Sequence, residues 1–383
     1  MKYRSIATVS IAHLVTDINQ GAIPALLPFL IATHGLSYTA AATVVFAANI
    51  SSSLVQPLFG HFADRISKPF LMPLGAFLAG LGLALAGVVP TYGLVLAMVA
   101  VSGIGVASFH PEAARFVHAL SGTRKAMGLS LFAVGGQLGL AIGPIMTALA
   151  VASFGLRGTL LLLVPFVCMV PLVLGGRFFV KPLPAALRGT SGPGAGATDQ
   201  WLAFVRLSGA VFCRSFTYYG LSTFLPLYWM RVFDQTAVAG GGSLTIFLGA
   251  GVCGTLFGGR MADRYGYRNV ALIALCCSTL VLPIFTMARS VTGAMLLLIP
   301  LGLAHFTSYS PMVVLGQKLL PNHVGLASGV TLGLVVSVGG IAAPIFGRLA
   351  DTFSIETTFS VIALLPALAS CLMLTFPRRD PAT

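Results

Sequence analysis

Windows of about 20 apolar residues, the length a helix needs to cross a hydrocarbon core, recur twelve times along these 383 residues with little chain left between them. Lipid offers no partner to a backbone N–H or C=O, so each such segment must satisfy itself by coiling into a helix. Only 8% of the residues are charged, against about 25% in soluble domains. The sequence therefore reads as an all-α polytopic membrane protein. Helices are expected near 5–32, 38–62, 70–90, 93–117, 126–153, 157–180, 201–230, 237–260, 268–287, 292–317, 325–350 and 357–376.

The net charge of +13 raises the question of nucleic acid, but the placement of the charges answers it. Sixteen of the 22 Lys and Arg fall at one set of alternating helix ends, from Lys2 and Arg4 through Arg65, Arg124, Arg188 and Arg264 to Arg379. Arg157, Arg231, Arg289 and Arg348 fall at the opposite ends, and Arg115 and Arg214 lie within spans. This is the positive-inside pattern, which puts both termini in the cytoplasm. Nucleic acid is not needed as a partner; the lipid bilayer is. The six Cys all lie inside the expected spans, so no disulfide framework is implied. The first apolar segment is too long for a signal-peptide core and is expected to remain as helix 1.

Residues 181–200, KPLPAALRGTSGPGAGATDQ, read as a flexible cytoplasmic linker between a bundle at 1–180 and a second at 201–383. The two sides repeat each other. Gly60-His-Phe-Ala-Asp64-Arg65 is answered by Arg260-Met-Ala-Asp263-Arg264, Gly139-Leu-Ala-Ile-Gly143-Pro144 by Gly339-Gly-Ile-Ala-Ala343-Pro344, and Ser108-Phe-His-Pro111 by Ser308-Tyr-Ser-Pro311. The offsets are 199, 200 and 200. Two pseudo-symmetric six-helix bundles with a site at their interface are the design of an alternating-access transporter.

These residues resemble a family. Gly60-x-x-Ala-Asp64-Arg65, echoed at Asp263 and Arg264, is similar to the loop signature of the major facilitator superfamily, and Gly139-x-x-x-Gly143-Pro144 to the motif of its antiporter branch. His13-x-x-x-Asp17, Gln56-Pro57, Phe109-His-Pro-Glu112 and Ser130-x-Phe-x-x-Gly135-Gly136 narrow the resemblance to the fosmidomycin-resistance group of bacterial efflux proteins. It implies a proton-coupled antiporter of the bacterial inner membrane that confers antibiotic resistance by multidrug efflux of small anionic or amphipathic, drug-like compounds of the fosmidomycin type. It also implies that Asp64 and Arg65, with Asp263 and Arg264 as the weaker copy, latch an inner gate, while Gly139, Gly143 and Pro144 pack and bend helix 5.

In that architecture helices 1, 4, 7 and 10 line the cavity, and the deep polar residues concentrate there. Helix 1 offers His13, Asp17, Asn19 and Gln20; helix 4 offers His110, Glu112 and Arg115; helix 7 offers Arg214, Tyr218 and Tyr219; helix 10 offers His305, Ser308, Tyr309 and Ser310. An ionisable residue at the centre of a membrane helix costs about 2.5–3.5 kcal/mol on insertion scales and is functional by default. His13 and Asp17 are four apart and share a helix face. Asp17 and Glu112 are the candidate proton-exchanging acids, with His13 and His110 as relays. The static alternative has Asp17 bonded to His13 and Glu112 paired with Arg115. Arg115 and Arg214 present forks matched to carboxylate or phosphonate oxygens, and Gln20, Tyr218, Tyr219, His305 and Tyr309 are further candidates for binding the substrate. No Gly-x-x-x-x-Gly-Lys-[Ser/Thr] run exists for nucleotide. Proton symport or facilitated passage of a small anion or sugar is a second reading. A metal carrier using His13, Asp17, His110 and Glu112 is a third, without a paired-Cys or His-x-x-x-His motif behind it. No enzyme activity, cofactor or bound metal is expected, and the chain is expected to work as a monomer on a small-molecule substrate and protons.

Overall fold

A computed structural model describes residues 3–65, 70–122, 125–175 and 198–376. The described chain is helical throughout: α1 (Tyr3–His34), α2 (Tyr38–Arg65), α3 (Leu71–Ala86), α4 (Tyr92–Leu120), α5 (Lys125–Phe154), α6 (Val164–Gly175), α7 (Trp201–Val232), α8 (Ala237–Tyr265), α9 (Tyr267–Thr286), α10 (Val291–Thr307), α11 (Tyr309–Leu319), α12 (Val324–Ser328), α13 (Val335–Thr352) and α14 (Ile355–Leu374). Among the described residues, eight stretches are long and apolar enough to cross a membrane. The expected linker, apart from its last residues Thr198–Gln200, lies outside the described residues, as do the side chains of Asp64 and Arg65.

Local chemistry sets the helix ends. Thr91, Ser290 and Ser354 cap α4, α10 and α14, each hydroxyl accepting from the N–H three residues on, which satisfies one of the orphan donors of a first turn. Gly35 and Gly155 take φ of +62° just past α1 and α5, a left-handed turn that a residue without a Cβ makes at little cost.

Three expected spans are interrupted. The segment 292–317 divides at Ser308 into α10 and α11. Pro311 has no N–H to give the Thr307 carbonyl, and the Ser308 hydroxyl bonds back to the His305 carbonyl at 2.8 Å. Pro111 sits at the repeat-equivalent place in α4, yet α4 runs through it unbroken. The segment 325–350 holds a π-helical stretch, Gly329–Leu334, between α12 and α13, and a 3-10 stretch, Gly155–Leu163, precedes α6.

The chain forms two compact units, Met1–Gly189 with Thr236–Thr245, and Thr190–Gln235 with Ile246–Thr383. In the first, α1 packs on α5, and α4 on α2 and α3. Phe109, Phe132 and Phe166 fill its core with Ile6, Val9 and Met72. Within a bilayer, close backbone approach and van der Waals packing replace the hydrophobic drive between helices. The α1–α5 seam shows this: a Cβ on Gly135, Gly139 or Gly143 would run into the carbonyl oxygen of Ser10, Leu14 or Ile18. In the second unit α7 packs on α13 and α14, and α9 on α10 and α14, around Phe204, Leu207, Leu275, Met312 and Leu315. All six cysteines are free thiols.

The entry to α7 is tied down outside the spans. Asp199 accepts from the Asn322 backbone N–H at 3.1 Å and from His323 Nδ1 at 2.8 Å, and the Gln200 N–H reaches the Leu319 carbonyl at 2.8 Å. Partial burial favours the neutral carboxyl, but the Asn322 N–H and His323 outweigh it and hold Asp199 below the usual carboxylate range.

Two outcomes follow for thermal unfolding in detergent. Gly139→Leu and Gly143→Leu force side chains against the α1 backbone and lower stability by about 1–3 kcal/mol or more, whereas Gly259→Ala, where nothing lies within 4 Å of the added Cβ, leaves stability unchanged or slightly higher. A carboxyl whose folded value is depressed stabilises above its unfolded value and loses that contribution as pH falls through the folded one. Asp199→Asn therefore melts below the wild type at neutral pH, and the gap closes as the pH drops beneath the unfolded carboxylate value of about 3.9.

Candidate functional site

Each unit buries its own polar cluster, and the two differ in charge. In the first unit, His13 and Asp17 occupy successive turns of α1, and α4 brings His110 to them. His13 Nε2 lies 3.1 Å from Asp17 Oδ2, His110 Nε2 lies 3.2 Å from Asp17 Oδ1, and the two Nε2 atoms are 3.1 Å apart. His13 and Asp17 are 7% and 5% exposed, while the His110 side chain is the most open of the three at 21%.

Both rings are held from behind. His13 Nδ1 sits 2.7 Å from the Phe132 carbonyl on α5, and its ring stacks on the Phe132 ring at 3.9 Å. His110 Nδ1 sits 2.9 Å from the Val106 carbonyl one turn back in α4. A carbonyl only accepts, so each Nδ1 must carry the hydrogen. Gly136 leaves room for the cluster: a Cβ there would meet the His13 ring and Asp17 Oδ2. Phe132, Val106 and Gly136 are the contributors that side-chain chemistry alone did not flag, although Phe132 and Gly136 belong to the Ser130-x-Phe-x-x-Gly135-Gly136 motif.

Glu112 is fully buried but stands apart from these three. Arg115 Nη2 donates to its Oε1 at 2.6 Å and Arg115 Nε to its Oε2 at 3.2 Å, the i, i+3 pair that was the static alternative for this acid. Gln20, also on α1, is exposed. Asn19 is buried, donating to the Thr16 carbonyl at 2.8 Å. His13, Asp17 and His110 present three atoms of metal-ligating type within 4.8 Å of one another; Glu112, the fourth residue of the metal-carrier reading, is not among them.

In the second unit Arg214 of α7 is 7% exposed. Its Nε donates to the Ser308 hydroxyl at 3.1 Å and more weakly to the His305 carbonyl at 3.4 Å, and its guanidinium lies over the Tyr309 ring at 4.9 Å. Among the described residues no carboxylate pairs with Arg214 and no acceptor takes a hydrogen from either Nη. His305 is 2% exposed, stacks on Tyr218 at 6.1 Å, and its Nε2 has no hydrogen-bond partner among the described residues. Tyr219 packs edge-on against Tyr218 at 5.1 Å. The interruption at Ser308 thus gives α7 both a hydroxyl and an aromatic face to set its guanidinium against.

Of the expected gate residues, Asp263 is exposed and accepts from Tyr267 Oη at 2.8 Å, and Arg264 lies over the Tyr265 ring at 5.3 Å. Gly139 and Gly143 lie on the α1–α5 seam, and Pro144 follows within α5.

The chain is 29% identical over 373 residues to the MFS-type transporter YfnC of Bacillus subtilis (strain 168), covering 96% of this chain and 91% of that one. It is 29% identical over 383 residues to the fosmidomycin resistance protein of Escherichia coli (strain K12), covering 95% and 90%. Among solved structures, a bacterial homologue of the human lysosomal transporter Spinster, inward-facing and occupied, superposes with a TM-score of 0.78 at 15% identity, covering 98% of this chain and 97% of that one. A D-xylose-proton symporter superposes with a TM-score of 0.75 at 14% identity, covering 100% and 99%. The family model described as Major Facilitator Superfamily matches residues 9–344. With a helical fold of this kind and a match over nearly its whole length, the chain belongs to the Major Facilitator Superfamily of membrane transporters.

Proposed function

We propose that this transporter is a proton-coupled antiporter that exports a small acidic, drug-like compound of the fosmidomycin type by alternating access, as a monomer in a bacterial cytoplasmic membrane with both termini inside. The observation that carries the reading is the buried His13–Asp17–His110 cluster. A carboxylate held within 3.2 Å of two imidazoles is a seat for an exchangeable cation, and intramembrane groups of this kind mark proton relays. Arg214 supports the acidic substrate, since among the described residues its fork keeps both Nη groups unspent in a buried site. Arg115 has its own fork engaged by Glu112, which leaves Arg214 the stronger anion-binding residue, with Tyr309 beneath it and Tyr218, Tyr219 and His305 beside it. Asp64, Arg65, Asp263 and Arg264 are assigned to the cytoplasmic gate.

The energetics permit the exchange. Tenfold concentration of a solute costs about 1.4 kcal/mol, and one charge moving through 100 mV yields about 2.3 kcal/mol. One proton entering per molecule expelled therefore sustains export when the exchange carries net charge inward.

A second reading draws on the same cluster. Three ligand-type atoms within 4.8 Å suit a transition-metal ion, which would make the protein a metal carrier. Flux that requires added metal and disappears with a chelator would favour that reading.

The experiment is fosmidomycin flux in proteoliposomes under an imposed pH gradient. The wild type moves fosmidomycin against its concentration, indifferent to chelators. Asp17→Asn loses gradient-driven movement. Arg214→Ala weakens apparent fosmidomycin affinity by about ten- to a hundredfold, the loss expected for charge-assisted hydrogen bonds of about 1.5–3 kcal/mol. Undiminished gradient-driven flux in Asp17→Asn removes that residue from the coupling path, and no gradient-driven flux in the wild type overturns the reading.

A further inference from the structure

We infer that His13, Asp17 and His110 form a seat for a single proton shared between the two imidazole Nε2 atoms, and that this proton, not one on Glu112, is the coupling ion. The role given to the proton rests on the exchange proposed above; its location rests on geometry alone.

The argument starts at the backs of the rings. With Nδ1–H of His13 committed to the Phe132 carbonyl and Nδ1–H of His110 to the Val106 carbonyl, a neutral imidazole at either place presents a bare lone pair at Nε2. Those two lone pairs face each other across 3.1 Å. The Asp17 oxygens lie 3.1 and 3.2 Å from them, and Oδ1 has no hydrogen-bond donor among the described residues. In the proton-free state four acceptors converge on one point with no hydrogen among them, and buried polar groups left so are costly. One added proton resolves this. Carried on either Nε2, it gives an imidazolium that faces both the other Nε2 and Asp17, and it brings the cluster from a net charge of −1 to neutral.

A second proton does not fit. Two imidazolium rings would oppose Nε2–H to Nε2–H at that 3.1 Å separation, with one carboxylate to offset two cations. Among the described side chains of the surrounding helices, none adds a further charge at the seat. Among the described residues, α5 faces the seat with Phe132 and Gly136, neither of them titratable, and α3 carries no titratable side chain. Glu112 and Arg115, on α4 with His110, are engaged with each other. The more open His110 side chain is the face through which the proton enters and leaves. Gly136 is a positioning residue: any side chain there displaces the His13 ring or Asp17.

Two measurements test this, one of them independent of transport. In purified, detergent-solubilised protein with 15N-labelled histidine, the resonances of His13 and His110, assigned by single His→Asn and His→Gln substitution, should show both Nδ1 atoms protonated throughout and one proton taken up by the pair on acidification. Two separate uptake steps, or a neutral ring with its hydrogen on Nε2, overturns the shared seat whatever the protein transports.

In proteoliposomes with fosmidomycin as probe, His13→Asn and His110→Gln should lose dependence on the pH gradient yet still bind fosmidomycin and melt near the wild type, while Gly136→Ala should lose that dependence and melt lower, because its Cβ displaces the ring or the carboxylate. Glu112→Gln should keep that dependence. Gradient-driven flux that survives in His110→Gln, or is lost in Glu112→Gln with the protein still folded, overturns the assignment. A wild type without gradient-driven flux counts against the antiport reading instead and leaves the resonance test to decide the seat.

Discussion

The close approach of α1 to α5 is the constraint from which the first unit's chemistry follows. Gly135, Gly139 and Gly143 let the α5 backbone lie against the carbonyl oxygens of Ser10, Leu14 and Ile18. At that separation the Phe132 carbonyl comes within 2.7 Å of His13 Nδ1, and the bare Cα of Gly136 leaves space for the His13 ring and the Asp17 carboxylate. A wider seam would break the bond behind His13, and the ring would then be free to turn. Packing between small residues thus fixes which nitrogen of a buried imidazole carries its hydrogen, as a carbonyl or carboxylate behind the ring does at histidine sites generally.

Much of this was legible in the residues. Apolar runs separated by short polar turns specify helices, because lipid leaves the backbone no other partner. The three paired motifs, each recurring after about 200 residues, are the ground for expecting two related halves. His13 and Asp17 at i, i+4 share a face by helical geometry alone. The i, i+3 spacing likewise offered Arg115 to Glu112, one of two readings open for that acid, and the pair is formed.

What could not be read belongs to tertiary arrangement. Nothing in a one-dimensional pattern says that His110 would meet His13 at 3.1 Å while Glu112, two residues further on, would not. The facing direction of a residue beside Pro111 depends on how α4 passes that proline. The division at Ser308 was equally hidden: Pro111 and Pro311 occupy equivalent places, yet α4 continues where α10 stops. The difference lies in what each helix meets. Ser308 serves Arg214 as well as the His305 carbonyl, a demand with no counterpart in the interactions seen around Ser108, whose hydroxyl bonds to the Gly105 carbonyl alone among the described residues.

Arg214 gave up most of its hydration when the chain folded, and it received one hydroxyl, one distant carbonyl and an aromatic face in return. A guanidinium on an open surface would have to shed its water at the moment of encounter, and association would be weakened by that cost. Here most of that dehydration precedes any encounter with a solute. On the proposed reading of Arg214 as the anion-binding residue, an arriving anion meets a cation already stripped and oriented, in a medium where charge is poorly screened. On that reading, folding free energy has been converted into readiness for a negative guest.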